Sequence, residues 1–144
     1  MRISQIFVLL IVALLPLSGC LEDFTSSDPR IISDNIFITE HDYVFIEFSC
    51  SDRCDVNISF DQDYGPLIDM YTMTSLNYQN WQSCDDLYYL IELSDPGSRG
   101  SERNGSLESG DYVLIFDNSD CGHTAPPDNG AVDSTSISFT LTID

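Results

Sequence analysis

The sequence predicts an all-β fold for residues 35–144: an antiparallel two-sheet sandwich of about seven or eight strands. Three observations predict it. Apolar residues recur at every second position through most of this region, the period of a strand with one buried and one wet face. Turn-forming residues interrupt these runs at short intervals. No stretch sustains the spacing of a long amphipathic helix.

Taken in order, Ile36 and Ile38 mark a short first strand. Tyr43 to Cys50 follows, with Val44, Ile46 and Phe48 on one face. Val56, Ile58 and Phe60 alternate with Asn57 and Ser59. Asp61 to Pro66 reads as a turn. Leu67 to Met73 is a strand with Ile68, Met70 and Thr72 on one face. Ser75 to Gln82 is the single helical turn predicted, with Leu76 and Trp81 as anchors. Leu87 to Leu93, rich in tyrosine and aliphatic residues, reads as a strand partly covered on both faces. Asp95 to Gly100 is a turn within a polar loop reaching Ser106. Tyr112 to Asp117 is a short apolar strand, and Asn118 to Asp133, with two glycines and Pro126-Pro127, is a long loop. Ser136 to Ile143 alternates most cleanly, Ile137, Phe139, Leu141 and Ile143 pointing one way.

Upstream stands a different kind of segment. Arg2 is followed by an almost wholly apolar run from Ile3 to Leu17. That run is shorter than the ~20 residues a membrane-spanning helix needs, and small residues close it, as in a secretory signal. The closing residues Leu17-Ser18-Gly19-Cys20 resemble the lipobox of bacterial and archaeal lipoproteins. Small residues let a peptidase approach the backbone, and the thiol of Cys20 is the soft nucleophile that takes a lipid. The resemblance implies a signal peptide at 1–19, lipidation of Cys20 and a polar tether at 20–34. The expected localisation is extracytoplasmic, lipid-anchored to a cell membrane or envelope.

Beyond residue 19 the chain carries 4 arginines, no lysine and 24 acidic residues, a formal charge of −20. Nucleic-acid binding needs a basic footprint, so that class is excluded. Charge attraction to an anionic bilayer fails for the same reason, which leaves the lipid as the membrane contact. The acidic surface reads first as a solvated coat suited to salty surroundings and second as a source of cation ligands.

With Cys20 set aside, Cys50, Cys54, Cys84 and Cys121 remain, an even number that predicts two disulfides outside the cytoplasm. The pairing Cys50–Cys54 and Cys84–Cys121 is preferred, because Ser51-Asp52-Arg53 as a hairpin loop would set Cys50 opposite Cys54. A zinc site with His41 or His123 is the rival, but a lone C-x3-C is a weak metal signature.

Asp55-Val56-Asn57-Ile58-Ser59-Phe60, an acidic turn with glycine, and Gly110-Asp111-Tyr112-Val113-Leu114-Ile115-Phe116-Asp117-Asn118 together resemble the GOLD (Golgi dynamics) domain. Ile68-Asp69-Met70-Tyr71 through Asn77-Tyr78-Gln79-Asn80-Trp81 looks like related prokaryotic surface proteins. The resemblance implies a jelly-roll or GOLD-like sandwich with a non-enzymatic role in protein interaction.

The residues themselves supply no nucleophile with a base beside it and no G-x-S-x-G elbow, so an enzyme is not expected. Calcium is the more serious metal question. Asp61-x-Asp63-x-Gly65 begins like an EF-hand loop but has Thr72 at the twelfth position. Asp117, Asn118, Asp120, Asp128 and Asp133 form a second acidic set in one loop region, though polar turns that satisfy their own backbone explain both. Tyr71, Tyr78 and Trp81, with Tyr88 and Tyr89, offer stacking surfaces for a sugar or, more plainly, filling for the second layer of a sandwich. Asn57-Ile58-Ser59 and Asn104-Gly105-Ser106 match the N-glycosylation acceptor pattern, Asn104 in its expected loop being the better placed. The expected function is a lipid-anchored surface module that binds an envelope protein or glycan. The alternatives are a structural acidic envelope lipoprotein and a calcium-dependent adhesion module.

Overall fold

The computed structural model describes residues 28–85 and 87–144. The expected signal segment, the lipidation site Cys20 and tether residues 21–27 lie outside the described residues. Eight strands form two antiparallel four-stranded sheets. They are β1 (Arg30–Ile38), β2 (Asp42–Cys50), β3 (Cys54–Tyr64), β4 (Ile68–Thr74), β5 (Asp95–Ser98), β6 (Gly100–Leu107), β7 (Gly110–Asn118) and β8 (Thr135–Ile143). Helix α1 (Ser75–Trp81) and a 3-10 turn (Ile91–Leu93) lie between β4 and β5.

One sheet runs β1-β8-β3-β6 and the other β2-β7-β4-β5. The first strand pairs with the last, the second with the seventh, the third with the sixth and the fourth with the fifth. The chain is thus one long antiparallel hairpin wound around a core, which is the jelly-roll arrangement. The tip of that hairpin is the β4–β5 connection, and it carries α1.

Alternation builds the first sheet. Cys54, Val56, Ile58 and Phe60 of β3 and Ile137, Phe139, Leu141 and Ile143 of β8 are all buried. They meet Ile68, Met70, Leu114 and Phe116 from the second sheet in one apolar cluster. The intervening Asn57, Ser59, Ser136, Ser138, Thr140 and Thr142 point to solvent.

The two central strands of the second sheet, β4 and β7, are buried on both faces. Every residue of β4 from Ile68 to Met73 is buried, as is β7 from Tyr112 to Asn118. Its outer face carries a second cluster of Tyr71, Met73, Tyr78, Trp81, Val113 and Ile115. Helix α1 caps this face. Thr74 ends β4 and starts the helix, its hydroxyl accepting from the Asn77 amide at 3.3 Å. Trp81 is 1% exposed and anchors α1, but Leu76 is 69% exposed and anchors nothing. The second anchor is Tyr78, one turn from Trp81.

Several expectations change. The tether gives way to structure at Arg30, so β1 takes in residues 30–34. Asp61 to Tyr64 continue β3, and the turn is confined to residues 65–67. Gly65 makes it, with φ +114° and no room for a Cβ, which would meet the Ser134 carbonyl at 2.6 Å. The polar stretch read as a loop contains β5 and β6, edge strands held by backbone pairing. Leu87 to Leu93 is not a strand. It makes one backbone bond to β4, Leu90 N–H to the Thr72 carbonyl at 2.8 Å, then turns as a 3-10 helix.

Both expected disulfides are present, Cys50–Cys54 and Cys84–Cys121. The hairpin argument for the first was wrong. β2 and β3 belong to opposite sheets, so Ser51-Asp52-Arg53 is a corner and the disulfide bridges the two layers at one end of the sandwich.

Candidate functional site

The most built polar feature lies on the outer face of the second sheet, beside the aromatic cluster. Asp69 on β4 and Asp117 on β7 are directly opposed cross-strand partners. Both are fully buried. Asp69 Oδ1 accepts from the Gly97 amide at 2.6 Å, and Oδ2 accepts from the Tyr71 hydroxyl at 2.9 Å and the Thr124 amide at 2.7 Å. The Tyr71 oxygen in turn accepts from the His123 amide at 2.7 Å. Asp117 Oδ1 accepts from the Ser119 amide at 2.9 Å, while its Oδ2 has no partner.

The loop after β7 lies directly over this pair. A Cβ on Gly122 would stand 2.3 Å from Asp69 Oδ2 and 2.4 Å from Asp117 Oδ2, so only glycine lets the backbone close down there. One residue earlier, Cys121 is tied to Cys84 beyond α1. Two buried carboxylates and one disulfide therefore pin the loop to the sheet.

Two like charges buried side by side are unfavourable, which favours the protonated form of Asp117. Burial raises Asp117 from the usual carboxylate range to about 6, the neighbouring Asp69 and Asp120 charges adding to the shift against the Ser119 hydrogen bonds. Tyr71 is pushed up by burial first and by the Asp69 charge second, so its hydroxyl remains a donor. At the strand edges, Arg103 on β6 bonds Asp95 on β5 at 2.6 Å and joins the two sheets. Burial opposes that charge, but bonds from Arg103, Ser101 and Ser98 outweigh it and lower the Asp95 pKa.

The residues read from the sequence as sites fall into place differently. Tyr71, Tyr78 and Trp81 are 0%, 6% and 1% exposed, so they are filling and offer no stacking face to a sugar. Trp81 packs edge-on against Tyr43 at 4.7 Å and stacks with Tyr78 at 6.1 Å. The five expected calcium ligands do not converge. Asp117 lies in the buried pair, Asn118 Nδ2 donates to the Asp133 carbonyl at 2.8 Å, and Asp133 Oδ2 accepts from Asn129. Asp120 is exposed beside His41 Nδ1 at 3.3 Å, and Asp128 faces solvent. Among the described residues no three acidic, histidine or cysteine side chains gather closely enough to hold a metal. Asp61 and Asp63 sit in an extended strand, a shape that cannot wrap a cation as an EF-hand loop does. The cysteines expected to compete for zinc are consumed in disulfides.

Asp69, Gly97, Gly122 and Thr124 are not among the sites expected from the sequence, although Asp69 stands out there as a charged residue in an otherwise apolar run.

A second feature lies at one end of the sandwich. Phe37, Tyr64 and Val132 are 57%, 53% and 76% exposed and border an open depression completed by Pro66 and Pro127. The Phe37 and Tyr64 rings are 6.4 Å apart. This end holds the turns after β1 and β3 and the long loop after β7. Arg30, where the chain enters, is at the opposite end, paired with Ile143.

No known family's sequence profile matches the chain, and no curated protein matches it. Among solved structures, the pre-peptidase C-terminal domain of a collagenase from Bacillus anthracis is similar. The identity is 17% and the TM-score 0.45, covering 80% of this chain and 88% of that one. The two disulfides indicate an oxidising, extracytoplasmic setting. Among the described residues no helix is long and apolar enough to cross a membrane.

Proposed function

We propose that this protein is a lipid-anchored, non-catalytic surface module that presents one end of its jelly roll to an envelope protein or glycan. The observation that carries the reading is the polarity of the sandwich. The chain leading from Cys20 joins the domain at Arg30, while the exposed Phe37, Tyr64 and Val132 lie at the far end. An anchor of two or more acyl chains holds stably, each buried methylene contributing about 0.8 kcal/mol, and leaves that far end directed away from the bilayer. Exposed aromatic and aliphatic residues rimmed by polar groups are the usual make-up of a contact surface.

Membrane fractionation and a binding screen test the two halves. Cys20→Ser is expected to release the protein from membranes; unchanged fractionation removes the anchor. A glycan array and crosslinking in envelope extract are expected to give a contact that Phe37→Ser with Tyr64→Ser weakens at least tenfold. A contact indifferent to those changes removes the far end as the binding surface.

A further inference from the structure

The two N-glycosylation acceptor patterns lie 47 positions apart in the chain, yet the fold makes them neighbours. Asn57 on β3 and Asn104 on β6 are direct cross-strand partners. Both side chains stand on the outer face of the first sheet, since the alternating Val56, Ile58 and Leu107 fill the core. Together with Ser106, Asp55 and Asp144 they line a shallow depression open to solvent.

The two positions are not equivalent. Asn57 is half-buried, flanked by Asn104 on one side and by Thr142 of β8 on the other. Asn104 is exposed on an edge strand, with β3 its one neighbour in the sheet. Ser106, the hydroxyl residue of its pattern, is exposed as well. Directly opposed side chains on one face have Cβ atoms about 4.5–5.5 Å apart, too close for a branched glycan on each.

We propose that Asn104 is an N-glycosylation site and that its glycan excludes one on Asn57. This inference rests on the extracytoplasmic reading above. The donor is a sugar carried on a lipid phosphate, and the transferase belongs to the host. The Asn104 amide nitrogen bonds to the anomeric carbon of the sugar as the carbon–oxygen bond to phosphate breaks. The bonding electrons leave with the lipid phosphate and the displaced amide proton passes to a base, with no change of oxidation state. β6 is an edge strand with one strand neighbour, and the 3-10 turn packs against it at Gly105; a glycan rooted at Asn104 on its solvent face obstructs edge-to-edge pairing with another chain.

Peptide mapping by mass spectrometry, without reduction, on the full chain recovered from membranes of the cell that natively makes it tests this. The Asn104 peptide is expected to carry sugar mass increments and the Asn57 peptide to run at its unmodified mass. Asn104→Gln and Ser106→Ala should each abolish the increment, and Asn57→Gln should leave it unchanged. An unmodified Asn104 peptide beside an intact Cys84–Cys121 crosslink overturns the proposal alone. Reduced cysteines overturn the extracytoplasmic reading, and the proposal with it. Sugar on both asparagines of one molecule overturns the exclusion.

Discussion

The outer faces of the two sheets differ in kind. The face formed by β1, β8, β3 and β6 is bare, a lawn of serine, threonine and asparagine joined by contacts such as Ser33 Oγ to Thr140 Oγ1 at 2.9 Å. The face formed by β2, β7, β4 and β5 is roofed over its central strands by α1, by Leu87 and Tyr89 and by the loop after β7, over a second apolar cluster, while Leu90 and Leu93 turn into the first. One sheet has to be a wall and the other a partition between two cores. The difference is written in the sequence as two patterns: a strand wet on one face alternates, and a strand covered on both reads as a continuous apolar run. Ser136 to Ile143 is the first kind, and Tyr112 to Phe116 the second.

If the roofed face is a true second core, its loss should be felt as strongly as that of the first. Trp81→Ala removes its largest fully buried side chain and should cost about 3–5 kcal/mol in denaturant unfolding. A loss below about 1 kcal/mol would mean that α1 rests on the sheet without contributing to its stability. Next in size is the staple of that roof. Cys84 and Cys121 are separated by 37 positions, and replacing both with serine should cost about 4 kcal/mol by loop entropy. The same change at Cys50 and Cys54, separated by 4, should cost about 2 kcal/mol. Equal losses would show that ring size is not what matters.

The buried acid pair gives a smaller effect whose sign depends on pH. The Asp117 value in the fold, about 6, lies above the ordinary 3.8. Its contribution to stability is therefore complete below about pH 4 and is lost as pH rises through 6. Asp117→Asn fixes the neutral state. It should raise the melting temperature at pH 8, by about 1–2 kcal/mol of stability, and change little at pH 4. Asp120→Asn, at an exposed neighbour, controls for removal of one negative charge; an equal gain there would show that only net charge is involved. On the bare wall, Ser138→Ala should stay within about 0.5 kcal/mol.

How far the sequence could be read follows from the same contrast. Alternation located β2, β3 and β8 closely, because inward positions such as Val56 and Leu141 differ in character from their wet neighbours. It missed β5 and β6 because edge strands hold by backbone bonds, and the inward positions of β6 are Ser101, Arg103 and Gly105 before Leu107. It made a strand of Leu87 to Leu93 because the segment sends Leu87 and Tyr89 into one cluster and Leu90 and Leu93 into the other, which calls for the same apolar residues as a strand covered on both faces. The disulfide partners were legible from counting, yet a three-residue link looks alike whether it turns within a sheet or crosses between two. Of the candidate site, the carboxylates were visible as residues but not as a pair, since Asp69 and Asp117 meet only through the β4–β7 register.

The pairing of β1 with β8 has a further consequence, in time. Ile38 is matched with Thr135 and Arg30 with Ile143, so among the described residues the first strand made has the last as its one partner in the sheet. Synthesis proceeds at roughly 5–20 residues per second, so β1 waits for seconds with Ile32, Ile36 and Ile38 uncovered by β8 while everything between is produced. At the other end of the wound hairpin β4 and β5 meet over the shortest loop of any of its pairs, so their pairing costs the least closure entropy. Closure of the sandwich is thus a final act, and a chain stopped short of residue 135 would have its first strand on display with nothing to receive it.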